Sequence, residues 1–282
     1  MRHIAKQIKH SGGRREYPVS SQQKRLYAIQ QTDETGVAYN MPSAYRISGR
    51  VEPQKMREAL RVSMGAYSNL RTLYIMEQGE VRQRILSEFE PALEVEECLG
   101  LKLEEAVEGF VRPFDLERQC PIRARLRRLG EEEWVLQIDM HHIAADGGCY
   151  TQLISGFFSA YQRQALPEEQ VRYVDYAVWQ VEGEGVQEFA KHKQYWLEQY
   201  REELPVLELP IDHTRPAIRN YKGSTVSFTL PGEVSGALRQ LARREQATLH
   251  MVLLSLWQVL LARLGGVEDL SVGVPASGRD RS

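Results

Sequence analysis

The residues Met140-His141-His142-Ile143-Ala144-Ala145-Asp146-Gly147-Gly148 place two imidazoles, one carboxylate and two glycines at the end of an apolar run. An imidazole can accept or donate a proton near neutral pH. Asp146 can fix a turn, and the glycines after it let backbone come close to the imidazole or to a ligand. Successive side chains on a strand point to opposite faces, so His141 and His142 cannot both address one small site; one is chemical and the other structural. The same divergence argues against a metal centre, because no Cys or His cluster lies nearby at ligand spacing. Cys149 is close, but it would open the following helix with no obvious activator in the local sequence, which disfavours a thiolate nucleophile.

These residues need elements to hold them. Trp134 to Met140 alternates in part between apolar and polar side chains after the turn-forming run Glu131-Glu132-Glu133, and reads as a strand. Tyr150 to Tyr161 spaces Leu153, Ile154, Phe157, Phe158 and Tyr161 as a helix does, so the motif sits at a strand-to-helix junction. Ile122 to Leu129 is the expected hairpin partner of that strand, and its Arg123, Arg125, Arg127 and Arg128 read as a solvated face. Upstream, Ser20 or Ser21 can cap a helix carrying Leu26, Tyr27 and Ile29, and Ser43 to Ser48 reads as a strand. Pro53 opens a helix with Met56, Leu60 and Met64 on one face. Leu70 to Ile75 and Val81 to Leu86 form a hairpin about Gly79-Glu80, and Leu101 to Phe110 a short amphipathic helix stopped before Pro113.

Beyond the motif, Val186 to Leu204 is a long amphipathic segment, and the Pro-rich stretch from Leu204 to Pro216 reads as a crossing between lobes. Ser224 to Leu230 is expected as a strand, Val234, Leu238 and Leu241 as one face of a helix, the run from Leu249 as a buried helix, and Leu270 to Val274 as a short strand. The expected organisation is a flexible lead-in over 1–16, a first lobe over 17–204, the crossing over 205–222, and the start of a second lobe over 223–282.

The 282 residues suffice for two lobes or one large domain. With 36 Lys and Arg against 38 Asp and Glu, mixed along the chain, nothing suggests electrostatic recruitment to nucleic acid or to an anionic membrane. Cys98, Cys120 and Cys149 are odd in number and irregularly spaced, which fits reduced thiols and a cytoplasmic location. Met1 to Lys9 is basic but lacks the apolar core of a signal peptide. The apolar run Leu249 to Leu264 is interrupted by His250, Gln258 and Arg263 and is too short to span a bilayer.

Several segments in order resemble the condensation domains of nonribosomal peptide synthetases, members of the chloramphenicol acetyltransferase-like superfamily. Ser20 to Tyr27 is similar to the family's opening Ser-x-Ala-Gln-x-Arg-Leu-Trp segment. Leu70-Arg71-Thr72 resembles the end of its Arg-His-x-x-Leu-Arg-Thr motif, with Ala66 and Tyr67 standing where that motif has Arg and His. His141 to Gly147 is a copy of His-His-x-x-x-Asp-Gly, and Tyr173 to Trp179 matches Tyr-x-Asp-Tyr-Ala-Val-Trp. Val272 to Arg279 resembles the segment preceding the family's later motifs.

The resemblance implies an α/β (α+β) fold of chloramphenicol acetyltransferase-like lobes, each a mixed sheet flanked by helices, with the second lobe incomplete. It implies amide formation between a donor acyl or peptidyl thioester and the amine of an acceptor aminoacyl thioester. Both would arrive on phosphopantetheine arms of upstream and downstream carrier domains, beside an adenylation domain and with no cofactor of the domain's own. His142 is then the residue facing the substrates. His141 packs inside, Asp146 is structural and is held by Arg71 or, second, Arg123, Gly147 leaves room for the pantetheine arm, and Gly148 contacts substrate. Epimerization relatives carry a bulkier segment where Gly148-Cys149-Tyr150 stands, and heterocyclising relatives have aspartates in place of the histidines. A coenzyme A-dependent acyltransferase and a non-catalytic carrier-docking module are the competing readings.

Overall fold

The computed structural model describes residues 8–33, 35–183, 185–202, 204–214 and 223–275. The expected crossing from 215 onward, the lead-in before residue 8, and the end of the last resembling segment from 276 lie outside the described residues.

The chain divides into two compact units, the first running to His192 and the second starting at Lys193, earlier than the expected crossing. The first unit contains two sheets. Strands β1 (Tyr17–Pro18), β3 (Thr72–Glu77) and β4 (Glu80–Ile85) form the smaller, in the order β1-β4-β3. The larger has the order β2-β7-β6-β5, from β2 (Asn40–Ser48), β5 (Leu93–Glu97), β6 (Ile122–Arg128) and β7 (Glu133–His141). It is mixed: β5 runs parallel to β6, while the β6–β7 and β2–β7 pairs are antiparallel.

Local chemistry explains where these elements start and turn. Helix α1 (Ser21–Thr32) opens with a reciprocal cap between Ser20 and Gln23, and α2 (Pro53–Ala66) with a proline whose missing N–H costs nothing at that position. Gln78 and Gly79 both have positive φ, 51° and 81°, which suits the two-residue turn of the β3–β4 hairpin. The expected strand residues Leu70 and Arg71 instead lie in a 3-10 turn, Ser68–Arg71, that leads into β3.

The larger sheet is packed on one side by α2 and by α4 (Gly147–Tyr161). Along β7, Trp134, Leu136, Ile138 and Met140 meet Met56, Leu60, Met64 and Phe157 there, and β6 adds Ile122, Ala124 and Leu126. The alternate residues of both strands face the opposite way, under the largely irregular stretch between Ala106 and Leu116. Only α3 (Leu103–Ala106) is helical in that region, against the expected helix to Phe110, because its carbonyls are taken by side chains from the sheet. Arg127 donates to Ala106 O, Gln137 to Val107 O, Arg125 to Glu108 O, and Arg123 to Pro113 O and Arg112 O.

The solvated face expected for the arginines of β6 is not what the fold provides. Arg123 and Arg125 are buried, 4% exposed each, because β6 is an interior strand whose polar face is roofed by this stretch. Guanidiniums serve here because their several donors reach more than one carbonyl.

The expected flexible lead-in is tied down over its described part. Asp175 in α5 (Tyr173–Glu182) accepts from the Ser11 backbone and hydroxyl and from Arg172, and lies 3.2 Å from His10 Nδ1. Burial alone would raise the Asp175 carboxyl, yet Arg172 and the Ser11 donors hold it far below the usual range. Glu16 pairs with Arg84, and Arg14 with Glu182.

In the second unit, α6 (Gly185–Gln199) continues from the first, followed by α7 (Gly232–Arg244) and α8 (Leu249–Gly265). The burial expected of helix α8 is only partial. Val252 and Leu261 are buried, but Leu256, Trp257 and Val259 are each about half exposed, since among the described residues of that unit α8 packs chiefly on α7. Ser224 to Leu230 and Leu270 to Val274 are not strands among the described residues: a strand needs a hydrogen-bonded neighbour, and Val226 and Phe228 are 84% and 81% exposed. No single helix among the described residues is long and apolar enough to cross a membrane.

Candidate active site

The β2–β7 ladder ends at the pair Asn40 and His141, and the motif begins on that rung. His141 occupies the polar face of β7 and is fully buried. Its Nδ1 accepts the Ile143 N–H at 3.1 Å, so Nε2 carries the hydrogen and donates to Gln30 Oε1 at 3.0 Å. Phe114 stands edge-on to the ring with centroids 6.1 Å apart. Burial, with a smaller contribution from His142, pushes the His141 imidazole down to about 4. It is a neutral structural histidine that shapes the turn after β7.

His142 lies one residue beyond the strand and is half-buried. Its backbone N–H donates to Tyr39 O at 2.8 Å, and its ring meets the Tyr39 ring edge-on at 6.2 Å with an interplanar angle of 77°. The two histidines thus diverge as strand alternation requires, one sealed and one accessible.

Asp146 is the N-cap of α4. Its Oδ1 accepts the Cys149 N–H at 2.8 Å, satisfying one of the first-turn donors and placing negative charge at the positive end of the helix. The two arginines expected to hold this carboxylate are engaged otherwise. Arg123 forms a buried ion pair with Asp139 at 2.7 Å, and Arg71 donates to the Leu86 carbonyl and lies 5.7 Å from the Phe89 ring centre. β-strand geometry explains the change of partner for Arg123: Asp139 is its cross-strand neighbour on the polar face. Gly147 is exposed, and a Cβ there would meet nothing within 4 Å, which leaves open space beside the first turn of α4. Gly148 is likewise exposed on that turn.

Sequence reasoning missed the residues that buttress the histidines. Asn40 donates to Asp139 Oδ2 at 2.8 Å and to Arg112 O at 2.9 Å. Phe114 lies under the Arg123 guanidinium, 3.9 Å from the ring centre. Burial raises the Asp139 carboxyl and lowers the Arg123 guanidinium, and each is opposed by the other's charge. Part of the signal was present: polar residues at 123, 125, 137, 139 and 141 keep one parity on two adjacent strands, which marks a shared polar face but not what covers it. Among the described residues no group of three or more His, Cys, Asp or Glu side chains is gathered as for a metal ion.

The family model for the Condensation domain matches residues 13–282. The chain belongs to the condensation domain family. It is 41% identical over 265 residues to one of the plipastatin synthase proteins of Bacillus subtilis (strain 168), covering 93% of this chain and 7% of that protein. To tyrocidine synthase 3 of Brevibacillus parabrevis it is 38% identical over 266 residues, covering 94% of this chain and 4% of that one. The chain therefore spans less than a tenth of the length of these two relatives.

A solved four-domain nonribosomal peptide synthetase, holo-AB3403 bound to AMP and glycine, superposes with a TM-score of 0.83 at 24% identity, over 96% of this chain and 22% of that one. That likeness shows a shared α/β fold, here one mixed and one antiparallel sheet flanked by helices. Within it the His141 to Gly147 motif occupies the strand-to-helix junction, and the polar face of β6 and β7 lies directly behind it.

Proposed function

We propose that this condensation domain forms an amide bond between a donor acyl or peptidyl thioester and the amine of an acceptor aminoacyl thioester. The amine attacks the thioester carbon, the C–N bond forms, the C–S bond breaks, and the thiol departs with the proton that the attacking nitrogen loses. Both reactants are carried on phosphopantetheine arms of upstream and downstream carrier domains, in a cytoplasmic synthetase that also holds an adenylation domain. The domain itself needs no cofactor.

The observation that carries this reading is the difference between the histidines: His141 is sealed and neutral, whereas His142 is only half-buried, and Gly147 at the start of α4 is exposed with open space where a Cβ would stand. In this reading His142 hydrogen-bonds the attacking amine and steadies the tetrahedral intermediate, while Gly147 and Gly148 admit the pantetheine arm. A free α-amine titrates at about 8, so part of the nucleophile is already neutral and a weak acceptor suffices. Holding two tethered reactants together supplies most of the acceleration, with effective molarities worth about 7 to 11 kcal/mol. Asp146 acts by holding the turn and the start of α4, and Arg71 by supporting the turn that leads into β3.

The test is single-turnover condensation between donor- and acceptor-loaded carrier proteins, read by mass spectrometry in the full-length protein. His142→Ala should lower the rate by about two to four orders of magnitude, the range of a positioned acid or base, with the melting temperature unchanged. Near-normal turnover of that variant would remove His142 from the reaction. Product from free coenzyme A thioesters but not from loaded carriers would move the activity to that alternative donor.

A further inference from the structure

The geometry points to Tyr39 as the positioning residue that holds the His142 imidazole in its reactive orientation. This rests on His142 being the group that faces the substrates. The β2–β7 register pairs Asn40 with His141, and the His142 N–H to Tyr39 O bond of 2.8 Å adds one further rung beyond it. Tyr39 and His142 are therefore cross-strand neighbours, the arrangement in which two side chains on the same face are closest. Their rings take the edge-to-face geometry that aromatic quadrupoles favour, with centroids at 6.2 Å and planes at 77°. A half-buried imidazole at the end of a strand has several rotamers open to it. The Tyr39 ring blocks part of that space and rewards one orientation.

Tyr39 is itself held in place. Asp33, the C-cap of α1, accepts hydrogen bonds from Ala38 N at 2.9 Å, Thr35 N at 3.0 Å and Thr35 Oγ1 at 2.8 Å. The chain is thus pinned just before Tyr39, and Asn40 just after it is anchored to Asp139 and to the Arg112 carbonyl. The tyrosine ring is carried on a backbone fixed on both sides, which is what a group that orients another requires.

The test compares Tyr39→Phe, Tyr39→Leu and His142→Ala, singly and combined, in the full-length protein with donor- and acceptor-loaded carriers. Tyr39→Leu should lower kcat by about threefold to tenfold, the factor expected from losing one aromatic pair, with KM for the acceptor carrier unchanged. Tyr39→Phe should retain most of the rate, because it keeps the aromatic ring that meets His142. In the His142→Ala background Tyr39→Leu should have no further effect.

Wild-type turnover of Tyr39→Leu, a change in KM alone, or an equal loss in the His142→Ala background would overturn the assignment. Should Tyr39→Leu fail to fold, nuclear Overhauser contacts between the two rings and the χ1 couplings of His142 in the unaltered protein decide it. A single His142 rotamer in contact with Tyr39 supports the proposal, and rotamer averaging refutes it. If His142→Ala turns over normally, the reading of the reaction fails, while the restraint of one ring by the other is still measured by these couplings.

Discussion

The two faces of the β2-β7-β6-β5 sheet are built from alternate residues of the same strands, yet they are held by different physics. Toward α2 and α4 the sheet presents Leu126, Leu136, Ile138 and Met140, nearly all completely buried, in contact with other hydrocarbon. Toward the irregular stretch it presents Arg123, Arg125, Gln137, Asp139 and His141, almost as deeply buried but joined by hydrogen bonds and one ion pair. The dry face is non-directional and tolerates exchange of like volumes. The polar face is directional, so each member fixes the position of the next. The motif grows from the strand end where these faces meet: His141 finishes the polar face, Met140 finishes the dry one, and His142 belongs to neither.

The largest effect is expected from removing one partner of the buried ion pair. Arg123→Ala leaves Asp139 without its cation and should cost about 3 to 5 kcal/mol in urea-unfolding stability, whereas replacing both by apolar residues of similar size should cost much less. On the other face Leu136→Ala should cost about 2 to 5 kcal/mol, and no second substitution on the sheet should recover it in the same way. If the double replacement of Arg123 and Asp139 is as damaging as Arg123→Ala alone, the two faces do not differ as described.

Acid sharpens the contrast. His141 has its folded value depressed to about 4 from an ordinary 6.5, so it favours the neutral state in the fold. Its contribution is fully present above pH 6.5 and is lost as pH falls toward 4, because over that window the unfolded chain takes up a proton that the folded chain refuses. The loss should be on the order of 3 kcal/mol. His141→Asn should be less stable at neutral pH but show a flatter profile between those limits in pH-dependent thermal melts. An unchanged slope would mean that His141 does not carry this proton linkage.

The smallest expected effect lies at the junction itself. Asp146→Ala removes the cap of α4 and should lower stability by about 0.5 to 2 kcal/mol, whereas Asp146→Asn or Asp146→Ser should restore most of it. A loss of activity in Asp146→Asn at full stability would show that the carboxylate's charge, beyond its capping bond, serves the reaction.

Much of this arrangement is legible in the sequence because it follows from short-range periodicity. The hairpin of β6 and β7, the histidines at its end, the helix behind them and the divergence of His141 from His142 are all consequences of alternation over a few residues. What escapes are matters of coverage. An Arg-x-Arg-x-Arg strand has the same pattern whether water or the backbone of residues 106 to 116 lies over it, so only the fold distinguishes a solvated face from a buried polar one. The local sequence likewise does not say which groups meet Asp146: the helix it begins supplies one donor in the Cys149 N–H, and Arg123 is drawn to Asp139 across the sheet. Similarly, Ser224 to Leu230 has the residues of a strand, but strand formation depends on a neighbour that no local pattern encodes.

The alternation in β7 has a further consequence for how the chain avoids error. A slip of one residue against β2 or β6 would turn Gln137, Asp139 and His141 into the hydrocarbon between the sheet and its helices, and bring Leu136, Ile138 and Met140 beneath the carbonyl-rich roof. A pairing slipped by one residue therefore strands a charge without a partner and leaves donors with nothing to receive them, at a cost of several kcal/mol. The strand that delivers His142 is thereby proofread during folding by the same buried polar residues that later lie behind the motif, and a chain that has closed this sheet has already set the backbone of His142 in its place.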